Sequence, residues 1–145
     1  MSREIKFRGK TRDNKWVYGY YLPWHAVRDT AGKDVYGQIF EERKEKGKYI
    51  AKGWITVINN TIGQYTGLKD KNGVEIYEDD IVKTKYGRLC KVIWFSSGSD
   101  QCFDLKPVNY FADENRCPDR YDLWDSKNLE VVGNIYDEET NNDKV

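Results

Sequence analysis

The feature that most constrains this chain is a period of two, broken every few residues by turn-forming side chains. Ile5 and Phe7 alternate with Lys6 and Arg8, Asp13-Asn14 interrupts, and Trp16, Tyr18, Tyr20 and Leu22 then share one side. Side chains of a strand point alternately to opposite faces, so this opening reads as a β-hairpin. A loop through Pro23 and residues 29–33 leads to a further short strand at 35–40. The mixed-charge run 41–48 has no apolar stripe and reads as a solvated loop or one helical turn. Residues 54–58 and 61–66 are strand-like on either side of Asn59-Asn60. Asn72-Gly73, both tolerant of positive φ, predicts a type I′ turn joining Gly67-Leu68 to residues 74–77. Residues 81–85, the Tyr86-Gly87 turn and residues 89–95 form a second hairpin, too β-branched for a stable helix and closed by residues 96–99. The stretch 109–128 has no clean period, and a short helix is expected about 121–124. Residues 129–136 read as a last strand, and 137–145 as a polar, flexible tail.

This pattern defines a mainly β fold, with short strands and hairpins forming one small barrel or two packed barrel-like subdomains, and at most a short helix. A single domain is expected over 1–136, divisible into subdomains of about 1–58 and 59–136. The 145 residues carry 39% apolar side chains, but 11 Tyr, 5 Trp and 5 Phe are among them, so a few large rings must do most of the packing. Twenty-four basic residues balance 24 acidic ones. That neutrality removes a global case for a nucleic-acid or anionic-membrane binder and leaves room only for a local patch. No apolar run approaches the roughly 18 residues of a membrane helix, and the N-terminus reads as no signal peptide. Cys90, Cys102 and Cys117 are odd in number and never spaced Cys-x-x-Cys, which favours reduced thiols in a cytoplasm over disulfides or zinc.

The residues that carry chemistry are sparse. His25 is the single histidine, and nothing marks a nucleophile for it. Glu75, Glu78, Asp79 and Asp80 are near-adjacent acids without the ordered spacing of a calcium loop, and Asp119, Asp122 and Asp125 are spaced by three. Both sets read as solvated surface rather than metal ligands. No phosphate-cradling Gly-rich loop occurs. What remains is a basic hairpin. Lys83 and Lys85 are expected to leave one face of a strand, with Arg88 and Lys91 following across the turn and Tyr86 or Trp94 as stacking platforms. The preferred account of these cations is that they protect a strand edge from aggregation.

One segment has a familiar form. Residues 63–73, Gly-Gln-Tyr-Thr-Gly-Leu-Lys-Asp-Lys-Asn-Gly, run into Glu75-Ile76-Tyr77-Glu78 and Asp80-Ile81-Val82. Together with Ile5-Lys6-Phe7-Arg8 and the closing residues 129–136, they resemble the YopX family of phage and prophage proteins. The resemblance implies a mostly β fold, a phage-encoded origin in a bacterial cytoplasm, and self-association. It supplies no catalytic or ligand-binding residues. Asp79 stands where the family pattern usually has Gly; if the backbone there has a positive φ, Asp costs about 1 kcal/mol that Gly would not, and Asp79→Gly is expected to be neutral or stabilising. The expected function is that of a non-enzymatic, cofactor-free accessory protein that self-assembles as a homo-oligomer and binds another macromolecule, a phage or host protein ahead of nucleic acid. A single-stranded nucleic-acid binder is the second reading and a metal-dependent enzyme the third.

Overall fold

Side-chain oxygens of Asp and Thr reach backbone N–H groups a few residues on, and this chemistry supplies the fold's repeating piece. A computed structural model describes residues 4–23, 26–108 and 123–137. Four times the chain makes the same five-residue turn, beginning at Thr11, Asp29, Asp70 and Thr84. In each, the first residue's N–H donates to the fifth's carbonyl, and the fourth's N–H donates back to the first's carbonyl. The first side chain also accepts the fifth residue's N–H, at 3.1 Å for Thr11 and Thr84 and 2.9 Å for Asp29 and Asp70. The fourth residue is left-handed every time, at Asn14, Gly32, Gly73 and Gly87. Asn72-Gly73 therefore turns the chain, but Asn72 keeps a negative φ and the turn is not type I′. Two consecutive positive φ angles occur instead at Lys46 (49°) and Gly47 (76°).

That Lys46-Gly47 turn corrects the reading of residues 41–48, which are the tip of the longest hairpin and not a loop or helical turn. β4 (Asp34–Glu45) pairs with β5 (Lys48–Ile58) from Tyr36↔Ile58 out to Glu45↔Lys48. The tip is solvated, so its side chains need not alternate and the period vanishes while the backbone ladder continues. The mainly β class holds, and the described strands form open sheets rather than a closed barrel.

The chain divides into two compact units, residues 1–65 and 66–145, so the division falls seven residues beyond the one expected after Ile58. β6 (Gly63–Lys69) runs across it, and its first residues pair with β1. In the first unit β1 (Phe7–Lys10) pairs with β2 (Trp16–Tyr21), β2 with β4, and the short β3 (Val27–Arg28) with the start of β4. Val17, Ile39 and Val57 form its core, with Phe7, Ile55 and Ile62 packed on it. Glycines let the strands approach this small core. A Cβ on Gly9 would lie 2.7 Å from Val57 Cγ2, and one on Gly19 would strike the Phe40 carbonyl oxygen.

The second unit holds β7 (Glu75–Tyr77), β8 (Asp80–Lys83), β9 (Leu89–Ser97), β10 (Asp100–Pro107) and β11 (Glu130–Asn134), the last four in the order β10-β9-β8-β11. Its core is Ile76, Val82, Cys90, Val92, Leu105 and Leu129. A 3₁₀ segment at Leu123–Asn128 precedes β11, while Tyr121 and Asp122 of the expected helix, and residues 138–145 of the expected tail, lie outside the described residues. The stretch resembling the YopX pattern builds β6, a turn, β7 and β8, and three of its polar residues, Thr66, Asp70 and Asp80, are buried. Thr66 donates to the Ile76 carbonyl at 2.8 Å. Asp70 accepts the N–H groups of Asn72, Val74 and, 61 residues away, Val131, at 2.8, 2.9 and 2.9 Å.

Burial of Asp70 works to raise its pKa, but the three N–H groups outweigh it and hold the carboxyl below its ordinary 3.8. A depressed folded pKa contributes stability that is present above the unfolded value and lost as pH falls through the folded one. Asp70→Asn should therefore be less stable at neutral pH by about 1–3 kcal/mol. Its loss of stability below pH 4 should be shallower than the wild type's. Urea melts from pH 7 to pH 2 check this, and parallel acid limbs would show that Asp70 does not govern them.

Asp79 has φ of 69°. Its side chain is engaged on both oxygens, with Lys91 Nζ 3.2 Å from Oδ1 and the Tyr136 hydroxyl donating to Oδ2 at 3.1 Å. Asp79→Gly relieves the backbone while deleting these two contacts, so its melting temperature should stay near the wild type's. Asp79→Ala deletes the contacts without relieving the backbone, and should be less stable than Asp79→Gly by about 1 kcal/mol. Equal melting temperatures for the two variants would remove the backbone from the account.

Candidate binding surfaces

The basic hairpin does not converge as its sequence suggests. β8 ends at Lys83, and Lys85 is the second residue of the Thr84 turn, so the two do not leave one strand face together. At the turn, Tyr86 is 73% exposed, Lys85 Nζ lies 5.1 Å from its ring, and Arg88 is exposed beside them. Lys91 is drawn away to Asp79. Trp94 falls on the opposite face of β9 from Lys91 and packs edge-on against Phe103, with ring centroids 4.8 Å apart. The structure thus gathers Lys85, Tyr86 and Arg88 and leaves Lys83, Lys91 and Trp94 apart from them.

A larger surface lies in the first unit, and the aromatic alternation in β2 is its sequence signal. Val17 points into the core, so Trp16, Tyr18 and Tyr20 point the other way. Strand register places Tyr20 opposite Phe40 and Phe40 opposite Trp54. Neighbouring strands lie about 4.8 Å apart, so three rings stand side by side across β2, β4 and β5. Tyr18 is two residues along on the same face. Phe40 and Trp54 meet edge to face at 5.1 Å. Tyr20 is 58% exposed, Trp54 44% and Tyr18 43%. These three present roughly 300 Å² of ring to water, the size of the patch that is often functional on an ordinary monomer.

Further along the hairpin, beyond a register shift between Arg43 and Lys44, Lys44 is the Cα partner of Tyr49, and its ammonium lies 4.5 Å from that ring. The hydrogen bond to the Tyr49 hydroxyl, then the charges of Tyr49, Glu42 and Tyr20, raise the Lys44 pKa. Toward β1, Trp16 is flanked by Arg8 at 4.5 Å and Lys10 at 5.5 Å, both largely buried. Sequence reading missed this surface because it requires the Lys46-Gly47 register, which places Phe40 beside Trp54.

The chain's neutrality also conceals a division. Residues 1–65 carry thirteen Lys and Arg against seven Asp and Glu, whereas residues 66–145 carry eleven against seventeen. The two units therefore have formal charges of +6 and −6. A whole-chain sum cannot register that separation.

The acidic cluster is structural where it is described. Asp80 Oδ2 accepts the Tyr77 N–H at 2.7 Å, and Asp79 is engaged as above. Asp125 accepts from Asn128 Nδ2 at 2.6 Å. Among the described residues no three His, Cys, Asp or Glu side chains are grouped to hold a metal. His25, Cys117, Asp119 and Asp122 lie outside the described residues, while Cys90 is buried and Cys102 exposed, both as free thiols. Among the described residues no helix is long and apolar enough to cross a membrane.

Comparison with known proteins adds the lineage. The sequence profile described as YopX protein matches residues 6–140. Among solved structures the chain is similar to the crystal structure of protein EF1440 from Enterococcus faecalis. The identity is 22% over 93% of this chain and 95% of that one, with a TM-score of 0.48. No curated protein matches. With one profile running through both units and most of the sequence, the chain belongs to the YopX family.

Proposed function

We propose that this protein is a non-enzymatic accessory protein of a phage or prophage, acting in the cytoplasm of the bacterial host by binding another macromolecule and assembling with itself. The observation that carries the reading is the row Tyr20, Phe40 and Trp54, with Tyr18 beside it, on the face of β2, β4 and β5 turned away from the Val17, Ile39 and Val57 core. Tyr and Trp are enriched at recognition surfaces because each offers a large rigid contact at low entropic cost. Packing within the unit leaves Tyr18, Tyr20 and Trp54 about half in water, with Phe40 less exposed between them. Self-association supports such a protein by presenting several copies of the same surface at once.

The rings contribute to binding more than to folding. Trp54→Ala and Tyr20→Ala should each cost no more than about 1 kcal/mol of stability, the scale of a cross-strand pair. Ile39→Ala, in the core, should cost about 2–5 kcal/mol. Thermal melts compare the three, and a Trp54→Ala loss as large as that of Ile39→Ala would assign the row to the core. Light scattering on the eluting protein at tens of micromolar should give an oligomer's mass, and a strict monomer would remove the assembly part of the reading.

A further inference from the structure

We infer that the exposed aromatic face of the first unit is a binding site for single-stranded nucleic acid, an inference that rests on the surface assigned above and names its ligand. Unpaired bases stack on Tyr18, Tyr20 and Trp54, with Phe40 supporting Trp54 edge to face, and the phosphates of the strand lie along the cations of the same unit.

Three features select this ligand. First, Tyr18, Tyr20 and Trp54 stand exposed on one face, with Phe40 packed between Tyr20 and Trp54 in the strand register, so several platforms are offered on the same side. Stacking on such platforms is open to any base with a free face, and bases in a duplex have none to give. Second, a cation lies close to the patch, since Lys44, four residues along β4 from Phe40 and beyond Glu42, holds its ammonium 4.5 Å from the Tyr49 ring. The core of a protein interface is depleted of charge and would have to desolvate this ammonium, whereas a phosphate backbone pairs with it. Third, the +6 charge is confined to the unit that carries the rings. The basic turn of Lys85, Tyr86 and Arg88 belongs to the unit of −6, where the surrounding field repels a polyanion.

The test uses the full chain and a fluorescein-labelled oligothymidylate of about 20 nucleotides, followed by anisotropy, with a duplex of equal length alongside. The single strand should bind more tightly than the duplex, and its affinity should fall about tenfold or more between 50 and 200 mM salt. Tyr20→Ala with Trp54→Ala should weaken binding at least tenfold, while Tyr20→Phe with Trp54→Phe, which keeps two ring faces, should restore most of it. Lys44→Gln should reduce the salt dependence. Replacing Lys83, Lys85, Arg88 and Lys91 together by Gln should leave the affinity near the wild type's. Each variant is compared by circular dichroism and melting temperature, so that misfolding is not read as lost binding.

Absence of strand binding, equal binding to duplex, or loss in the four-Gln variant with retention in the double-Ala variant would overturn the inference. Light scattering on the double-Ala variant separates the two levels. A changed oligomer mass with no strand bound makes the face a protein interface, so the surface stands and the ligand falls. If neither mass nor strand binding responds, the surface assignment falls as well.

Discussion

The β ladder of this protein depends on one local interaction, a side-chain oxygen at the first position of a five-residue turn that accepts backbone N–H groups further on. A chain reversing between two strands leaves several N–H groups without ladder partners, and each is costly if it stays unpaired. Asp29 and Asp70 each take two from their own turn, and Thr11 and Thr84 take one. The left-handed residue at the fourth position then aims the chain back into register, the bulge geometry that glycine accommodates without a Cβ. Asp70 extends the device beyond its own turn. Its second oxygen holds the Val131 N–H, so one carboxylate sets a turn and fastens β11 to it.

This dependence explains the character of the segment that marks the family. Its polar residues Thr66, Asp70 and Asp80, set among glycines, suggest a site, but their side chains serve the backbone. Thr66 bonds the β7 carbonyl of Ile76, Asp80 caps the Tyr77 N–H, and Tyr77 is almost completely buried. A stretch so occupied with its own hydrogen bonds has little left for a ligand. The aromatic face, by contrast, lies on strands outside that segment, where rings can change without breaking a turn.

Electrostatics and packing divide along the same line. The first unit has a small core of three buried side chains, spends most of its rings on the opposite face, and is basic. The second has the larger core, is acidic, and ties several of its carboxylates to backbone or to Lys91. The two units thus differ in both charge and the use of their rings, the first basic with rings facing water, the second acidic with a larger core.

Much of this was legible in the residues. Alternation in β1, β2, β8 and β9, the Tyr86-Gly87 turn and the closing strand follow directly from side-chain period and turn chemistry, because both are local. The left-handed backbone at Asp79 meets the condition raised by the glycine that the family pattern has there. Three things needed the folded chain. The hairpin tip at 41–48 has no period to read, because both faces are in water. The engagement of Lys91 by Asp79 and the separation of Trp94 from the basic turn depend on which face each residue takes after the strands pair. The aromatic row exists only through register, since Tyr20, Phe40 and Trp54 are far apart in sequence and become neighbours when three strands align. Local chemistry determined where this chain turns and extends; tertiary structure decided which side chains share a surface, because sharing a face is a property of paired strands and not of any one of them.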